Sequence, residues 1–310
     1  MSSDGMTFDD FDDDFSAPAI IMQSQPAVIE KIDYTGMRGV FYDVSNEDYH
    51  ACKSVSKSVT DAINKSAGYA WAYMNGLIKR NESEALNKGT LLHCAILEPD
   101  ELYERYFLSD KKPDMRTKAG KALAEEIRGQ ANGKRVITPD HMTMITRVSE
   151  EIHKHPIARL LFDGGRPEVS IFSEMDGAPV RCRHDYLNGQ VVADLKSTED
   201  ASQDGFLRSV EKYRYDVQDA FYRDVSESQG VDVSNFLFVA VEKSEPYRVE
   251  VYELDAESVN WGRTAYKANL ETYRRCMQTG IWPSTTGRIT PLSTSNFHRK
   301  RIERSIELAL

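Results

Sequence analysis

Cysteine is scarce and scattered in this chain. Its four cysteines (Cys52, Cys94, Cys182, Cys276) form no C-x-x-C pair, which argues against a disulfide framework or a structural zinc site. No apolar run approaches the roughly 18 residues of a membrane-spanning helix. The first residues are acidic, so no secretory leader is expected. There is no G-x-x-x-x-G-K-[ST] loop, and no ATP-driven motor is expected. Positive charge is in deficit, with a net charge of −10. A surface that binds nucleic acid everywhere is therefore excluded, and any such binding needs a local basic stripe. The expectation is a reduced, cytoplasmic protein with no membrane association.

The charge deficit is concentrated at one end. Residues 1–15 hold six aspartates (Asp4, Asp9, Asp10, Asp12, Asp13, Asp14), interleaved with Phe, and no basic residue. They account for more than half of the net charge. Residues 1–30 read as a disordered acidic tail. It serves either as a solubilising tail or as a docking or DNA-mimicking peptide. Its Asp/Phe pattern resembles the acidic tip of bacterial single-strand-binding proteins. The body of the chain, 40% hydrophobic and 28% charged overall, has the composition of a soluble globular protein.

What is present divides by hydrophobic period. A helix is expected over 54–74, with Ser58 and Asp61 at capping-box spacing and Asn75-Gly76 ending it. A second helix starts at Gly89-Thr90 and stops at Pro99. His93 lies inside its apolar stretch, either as a satisfied core histidine or as a ligand. Residues 109–138 carry Lys111, Lys112, Arg116, Lys118 and Lys121, read either as phosphate contacts or as a solvated loop followed by a helix. Thr138-Pro139 opens a helix to about residue 162.

From Arg166 the period becomes 2. Strands are expected over 168–174, 180–186 and 190–197, with turns at Asp176-Gly177 and Asn188-Gly189. A helix over 204–229, strands over 235–242 and 247–254, a helix over 258–277 and a basic terminal loop complete the pattern. One α/β domain (31–290) follows from this order. It has an α-helical N-terminal subregion over about 50–165 and a catalytic sheet over about 166–255. A basic tail occupies 291–310.

The third strand, Val191–Lys196, ends in Asp194 and Lys196. Alternation places both on one face. Taken alone, the pair is a salt bridge at a strand end. Asp185 and Glu168, on neighbouring strands, make it a candidate metal site. Mg²⁺ prefers hard oxygen ligands, which Asp185, Asp194, Glu168 and the Leu195 carbonyl would supply. Lys196 would offset charge on a phosphate. On the next helix Arg208, Lys212, Tyr215, Gln218 and Tyr222 recur at spacings of three and four. This polar, basic and aromatic stripe suits contact with a nucleic-acid backbone.

These residues carry a resemblance. Gly89-Thr90-Leu91-Leu92-His93, Asp185, Asp194-Leu195-Lys196 and Gln218-Asp219-Ala220-Phe221-Tyr222 are similar, in order and separation, to the motifs of the PD-(D/E)xK nuclease superfamily. The branch is the RecB type. Residues 54–58, 89–99 and 155–161 look most like its RecE, or exonuclease VIII, group, found in phages and prophages. The resemblance implies a restriction-endonuclease-like core with a central mixed β-sheet flanked by helices. It implies a Mg²⁺-dependent exonuclease, with Mn²⁺ able to substitute. Such an enzyme digests linear double-stranded DNA from its ends, 5′ to 3′, and leaves 3′ tails for recombination. A single-strand annealing protein as partner and a ring-shaped homo-oligomer are also implied. Asp185 and Asp194 then look like the main metal ligands, His93 an assisting ligand, Glu168 a further acid and Lys196 the catalytic lysine. Gln218 and Tyr222 would position substrate. The second acid is Asp rather than Glu, a variation the RecB branch accepts. Relatives with an iron–sulfur cluster use three cysteines near the C-terminus. Here Cys276 stands alone in the last hundred residues, and no cluster is expected. A structure-specific endonuclease on the same fold and a non-catalytic DNA-end-binding protein are the alternatives.

Overall fold

The computed structural model describes residues 33–78, 84–285, 287, 289 and 291–307. The acidic segment 1–30 lies outside them. The N-terminal half runs β1 (Gly39–Phe41), α1 (Asn46–Ala51), α2 (Lys57–Lys65), α3 (Ala67–Met74), α4 (Glu84–Leu97), α5 (Leu102–Arg105) and β2 (Tyr106–Leu108). It continues through α6 (Lys118–Ala131), β3 (Arg135–Ile137), α7 (Pro139–Lys154) and α8 (Ala158–Leu161). The strands β4 (Arg166–Met175), β5 (Ala178–Asn188) and β6 (Val191–Thr198) follow. Then come α9 (Gln203–Tyr213), α10 (Tyr215–Glu227), β7 (Asn235–Glu242), β8 (Val249–Glu253), α11 (Ala256–Thr279) and α12 (Asn296–Glu307).

Six strands form one mixed sheet in the order β1-β4-β5-β6-β7-β8. Every neighbour is antiparallel except β6 and β7, which run parallel. The β4–β5 turn is Asp176-Gly177, both at positive φ (51° and 78°), which matches the right-handed strand twist of a two-residue hairpin. The β5–β6 turn is Gly189-Gln190, one residue later than expected, because Asn188 pairs with Val191.

Alternation along the strands divides the core. On one face Val169, Ile171, Val180 and Cys182 pack against α2, α3, α10 and α11. There Val192, Phe236 and Phe238 pack against Phe206 and Val210 of α9. On the other face Ala193, Leu195, Val239 and Val241 meet Leu91 and Leu92 of α4 and Val148 of α7. A smaller cluster, Tyr34, Val44, Tyr49 and Cys52 around Phe172, covers that face near β4. No described helix is long and apolar enough to cross a membrane.

Three expected helices are each broken in two. Ser66 ends α2 in extended conformation (φ −173°) and caps α3, accepting from the Tyr69 amide at 3.0 Å. The α2 cap is Ser56 rather than Ser58. Pro156 stops α7, since it lacks an amide hydrogen and pushes His155 into the β region. Arg214, at φ 55° and ψ 55°, separates α9 from α10. Other limits move as well: α4 starts at Glu84, five residues before Gly89, and the C-terminal stretch contains α12, whose residues bury nothing.

Helices α10 and α11 touch where Gly262 faces the backbone of Asp216. A Cβ at Gly262 would lie 2.2 Å from the Asp216 carbonyl oxygen, so the helices would have to part. Gly262→Ala should cost about 1–3 kcal/mol of stability. Gly129 in α6 has nothing within 4 Å of such a Cβ, and Gly129→Ala should add up to about 1 kcal/mol. Thermal denaturation of the two variants checks both signs.

Candidate active site

The site forms where strand pairing fails. β4 and β5 pair at Pro167–Tyr186 and again at Val169–His184, but not at Glu168 and Asp185 between them. Glu168 sits at φ 51°, a left-handed conformation uncommon for a residue with a Cβ. Side-chain alternation breaks at the same place. His184 faces α10, bonding Ser226 Oγ at 2.7 Å and packing on Tyr222. Tyr186, two residues on, packs against Phe162 on the opposite face. β5 and β6 pair only over their last and first three residues. Beyond that the Leu195 amide donates to Asp185 Oδ2 at 2.8 Å, and the carboxylate takes the place of a ladder carbonyl.

Helix α4 brings in the histidine. Gly89 lets α4 approach the end of β6, since a Cβ there would lie 2.9 Å from Ser197 Oγ. One turn later His93 Nδ1 stands 3.6 Å from Asp185 Oδ2. Ligand atoms of His93, Glu168 and Asp185 all lie within 4.8 Å of one another. Burial, and then the neighbouring Asp185, pushes the Glu168 carboxyl up to about 8. Arg183 opposes this, with Nη1 3.5 Å from Glu168 Oε2. Its guanidinium is fixed by Ser170, Asn46 and the Val44 carbonyl and lies 4.0 Å from the Tyr49 ring centroid. Two crowded carboxylates and an imidazole are a donor set that a divalent cation fits, because its charge removes their repulsion.

Asp194 and Lys196 stand on the α10 face of β6. Asp194 is buried, bound by Gln218 Nε2 at 2.6 Å and in contact with the Lys196 ammonium. Burial raises the Asp194 carboxyl above its ordinary range, with Asp185 adding to the shift and Lys196 and Gln218 opposing it. Burial works against the Lys196 ammonium, but Asp194 and Asp185 outweigh it and hold it protonated above its usual range. Lys196 Nζ lies 5.1 Å from the Tyr215 ring centroid.

The expected site residues therefore fall into distinct groups. Glu168 joins His93 and Asp185, whereas Asp194 turns to Gln218 and Lys196. Leu195 meets Asp185 through its amide. The expected stripe Arg208, Lys212, Tyr215, Gln218 and Tyr222 is not one surface, because Arg214 breaks the helix. Arg208 pairs with Asp200 at the exposed surface. Tyr222 packs between His184 and Phe236 and is partly buried. Gln218 and Tyr215 do reach the Asp194–Lys196 pair.

A cleft of about 1330 Å³ opens beside these groups, lined among others by Arg105, Lys134, Arg135 and Lys243. None of Lys111, Lys112, Arg116, Lys118 or Lys121 lines it; Lys112 pairs with Asp140 and Arg116 with Asp114. Arg183 and Lys57 are contributors that spacing did not single out. Arg183 shares a predicted strand face with Asp185, which was the available signal. Nothing local marks Lys57, which binds Asp61 and the Tyr213 carbonyl.

In the metal-free protein Glu168 holds its proton more tightly folded than unfolded. Its contribution to stability is thus full below the ordinary carboxylate range and is lost as pH rises through about 8. Glu168→Gln removes that loss. Its Tm in EDTA should match the parent's near pH 5 and exceed it at pH 8; superimposable curves contradict the crowding.

A solved structure is similar to this chain in fold, and a family model matches its sequence. A "Putative exonuclease" of Eubacterium rectale superposes with a TM-score of 0.58 at 17% identity, covering 82% of this chain and 97% of its own. A phage related exonuclease of Haemophilus somnus 129PT aligns over 67% of this chain and all of its own, at 13% identity and a TM-score of 0.30. No curated protein matches the sequence. The family model described as PDDEXK-like domain of unknown function (DUF3799) matches residues 55–294, a span holding the whole mixed sheet except β1 together with Glu168, Asp185 and Asp194. With its central sheet flanked by helices, the chain has a restriction-endonuclease-like fold and belongs to the DUF3799 family of PDDEXK-like domains.

Proposed function

We propose that this protein is a divalent-metal-dependent exonuclease that hydrolyses linear double-stranded DNA from its ends, as the RecE-type group does. The observation that carries the reading is the cluster of His93, Glu168 and Asp185 within 4.8 Å, beside the buried Asp194–Lys196 pair. The exonuclease name of the Eubacterium rectale protein agrees with it.

His93, Glu168 and Asp185 would hold Mg²⁺, or Mn²⁺ in its place, with the Leu195 carbonyl, and Asp194 once Lys196 or Gln218 releases one of its oxygens, as further proposed ligands. When bound, the cation polarises the phosphate and lowers the pKa of water. The Asp194 and Asp185 carboxylates favour the protonated form of Lys196. It acts as a cationic donor that orients the attacking water and offsets charge developing on the phosphate. Gln218 holds Asp194 Oδ1 and leaves the other oxygen to Lys196. Tyr215 supports the ammonium from one side. Arg183 keeps Glu168 turned toward Asp185. Arg105, Lys134, Arg135 and Lys243 line the cleft and are the cations a strand backbone would meet there, with Arg105 now paired to Glu98 and Lys243 to Glu199. A 5′-to-3′ direction would leave 3′ tails for an annealing protein, and a ring oligomer would keep the enzyme on its duplex.

End-labelled linear duplex with Mg²⁺ or Mn²⁺ should be degraded, while covalently closed circles survive. Comparing 5′ and 3′ labels reads the polarity. Lys196→Ala and Asp185→Asn should each lower kcat by at least about 10²-fold. Cleavage of closed circles, or full activity in Lys196→Ala, contradicts the proposal.

A further inference from the structure

An aromatic ladder leads from Lys196 out of the site. The Tyr215 ring lies against the ammonium. Tyr213 stacks on Tyr215, with centroids 5.8 Å apart and planes at 26°. Tyr213 lines the cleft and is half exposed. Lys212 Nζ stands 5.0 Å from its ring centroid. An exposed aromatic ring with a cation over it offers the pairing that single-stranded nucleic acids use, the base taking the place of Lys212 on the ring and the phosphate taking its charge.

The ring is held in place by an unusual corner. Tyr213 is the last residue of α9, and Arg214 follows in the left-handed region at φ 55°. Arg214 Nη1 binds Asp61 at 3.2 Å. Lys57 binds the same Asp61 at 2.7 Å and donates to the Tyr213 carbonyl. Helix α2 thus pins both sides of a strained turn. A solvated helix end needs no such anchoring, and here it fixes one ring at the mouth of the cleft.

We propose that Tyr213 is a stacking platform for a base of the strand whose phosphate is held at Lys196, and that this base belongs to an unpaired strand end. The inference rests on the nuclease reading for the position of the phosphate at Lys196. An internal base pair has no free face for Tyr213, so the nucleotide must come from a frayed or single-stranded terminus. The ladder therefore makes the cleft selective for unpaired ends over blunt ones.

The test uses the full chain in EDTA and oligonucleotides with 2-aminopurine at the terminal nucleotide. One is single-stranded, one is a duplex with a short unpaired overhang, and one is a blunt duplex. Stacking on Tyr213 quenches the fluorescence of the first two and leaves the blunt duplex little changed. Tyr213→Ala should abolish the quench and weaken binding about 10-fold or more. Tyr213→Phe, which keeps the ring, should retain both and shows that the corner still folds. The inference is overturned if Tyr213→Ala quenches like the parent, if the blunt duplex is quenched equally, or if no oligonucleotide binds. Absence of cleavage in Mg²⁺ with the quench intact would instead remove the nuclease reading and support Tyr213 as a platform for unpaired ends alone.

Discussion

The hydrogen bond from the Leu195 amide to Asp185 is the join on which the site depends. Where β5 and β6 part, β6 must leave an amide without a ladder partner, and a buried unpaired amide costs roughly 1–3 kcal/mol. Asp185 satisfies it with one carboxylate oxygen. The same interaction turns the carboxylate toward Glu168 and His93. Separation of the strands thus gathers charge instead of merely exposing backbone. Glu168 pays for its place with a left-handed backbone, and Arg183, tied to three partners, keeps it there.

Around that join, each face of the sheet contributes differently. From the α4 side comes His93, admitted because Gly89 has no side chain. From the α10 side come Gln218 and Tyr215, which hold the Asp194–Lys196 pair. Burial, and after it the repulsion of the neighbouring Asp185 carboxylate, makes Glu168 and Asp194 both bind protons more tightly than usual. Such stored repulsion is wasteful in a structural cluster and useful in one that receives a cation.

Much of this was legible in the sequence. Period-2 alternation and two turn-forming glycines located β4, β5 and β6, and alternation placed Asp194 and Lys196 on one face. The helix breaks were harder for different reasons. Pro156 was a readable stop. Ser66 is an ordinary residue until its side chain finds the Tyr69 amide. Arg214 carries no local signal for a left-handed turn, because its conformation is held by Asp61, distant in sequence. That one residue moved Arg208 off the stripe drawn through Gln218. The partition of acids was also hidden: spacing could not reveal that Glu168 leaves regular β geometry, and so joins His93 while Asp194 turns away.

The central claim is that His93, Glu168 and Asp185 form a cation site where the strands part. Anomalous diffraction from crystals of the protein grown with Mn²⁺ tests it most directly. The account predicts a manganese peak in contact with all three residues, lost in Asp185→Asn. A protein that stays metal-free at that position, or binds Mn²⁺ only elsewhere, would contradict it.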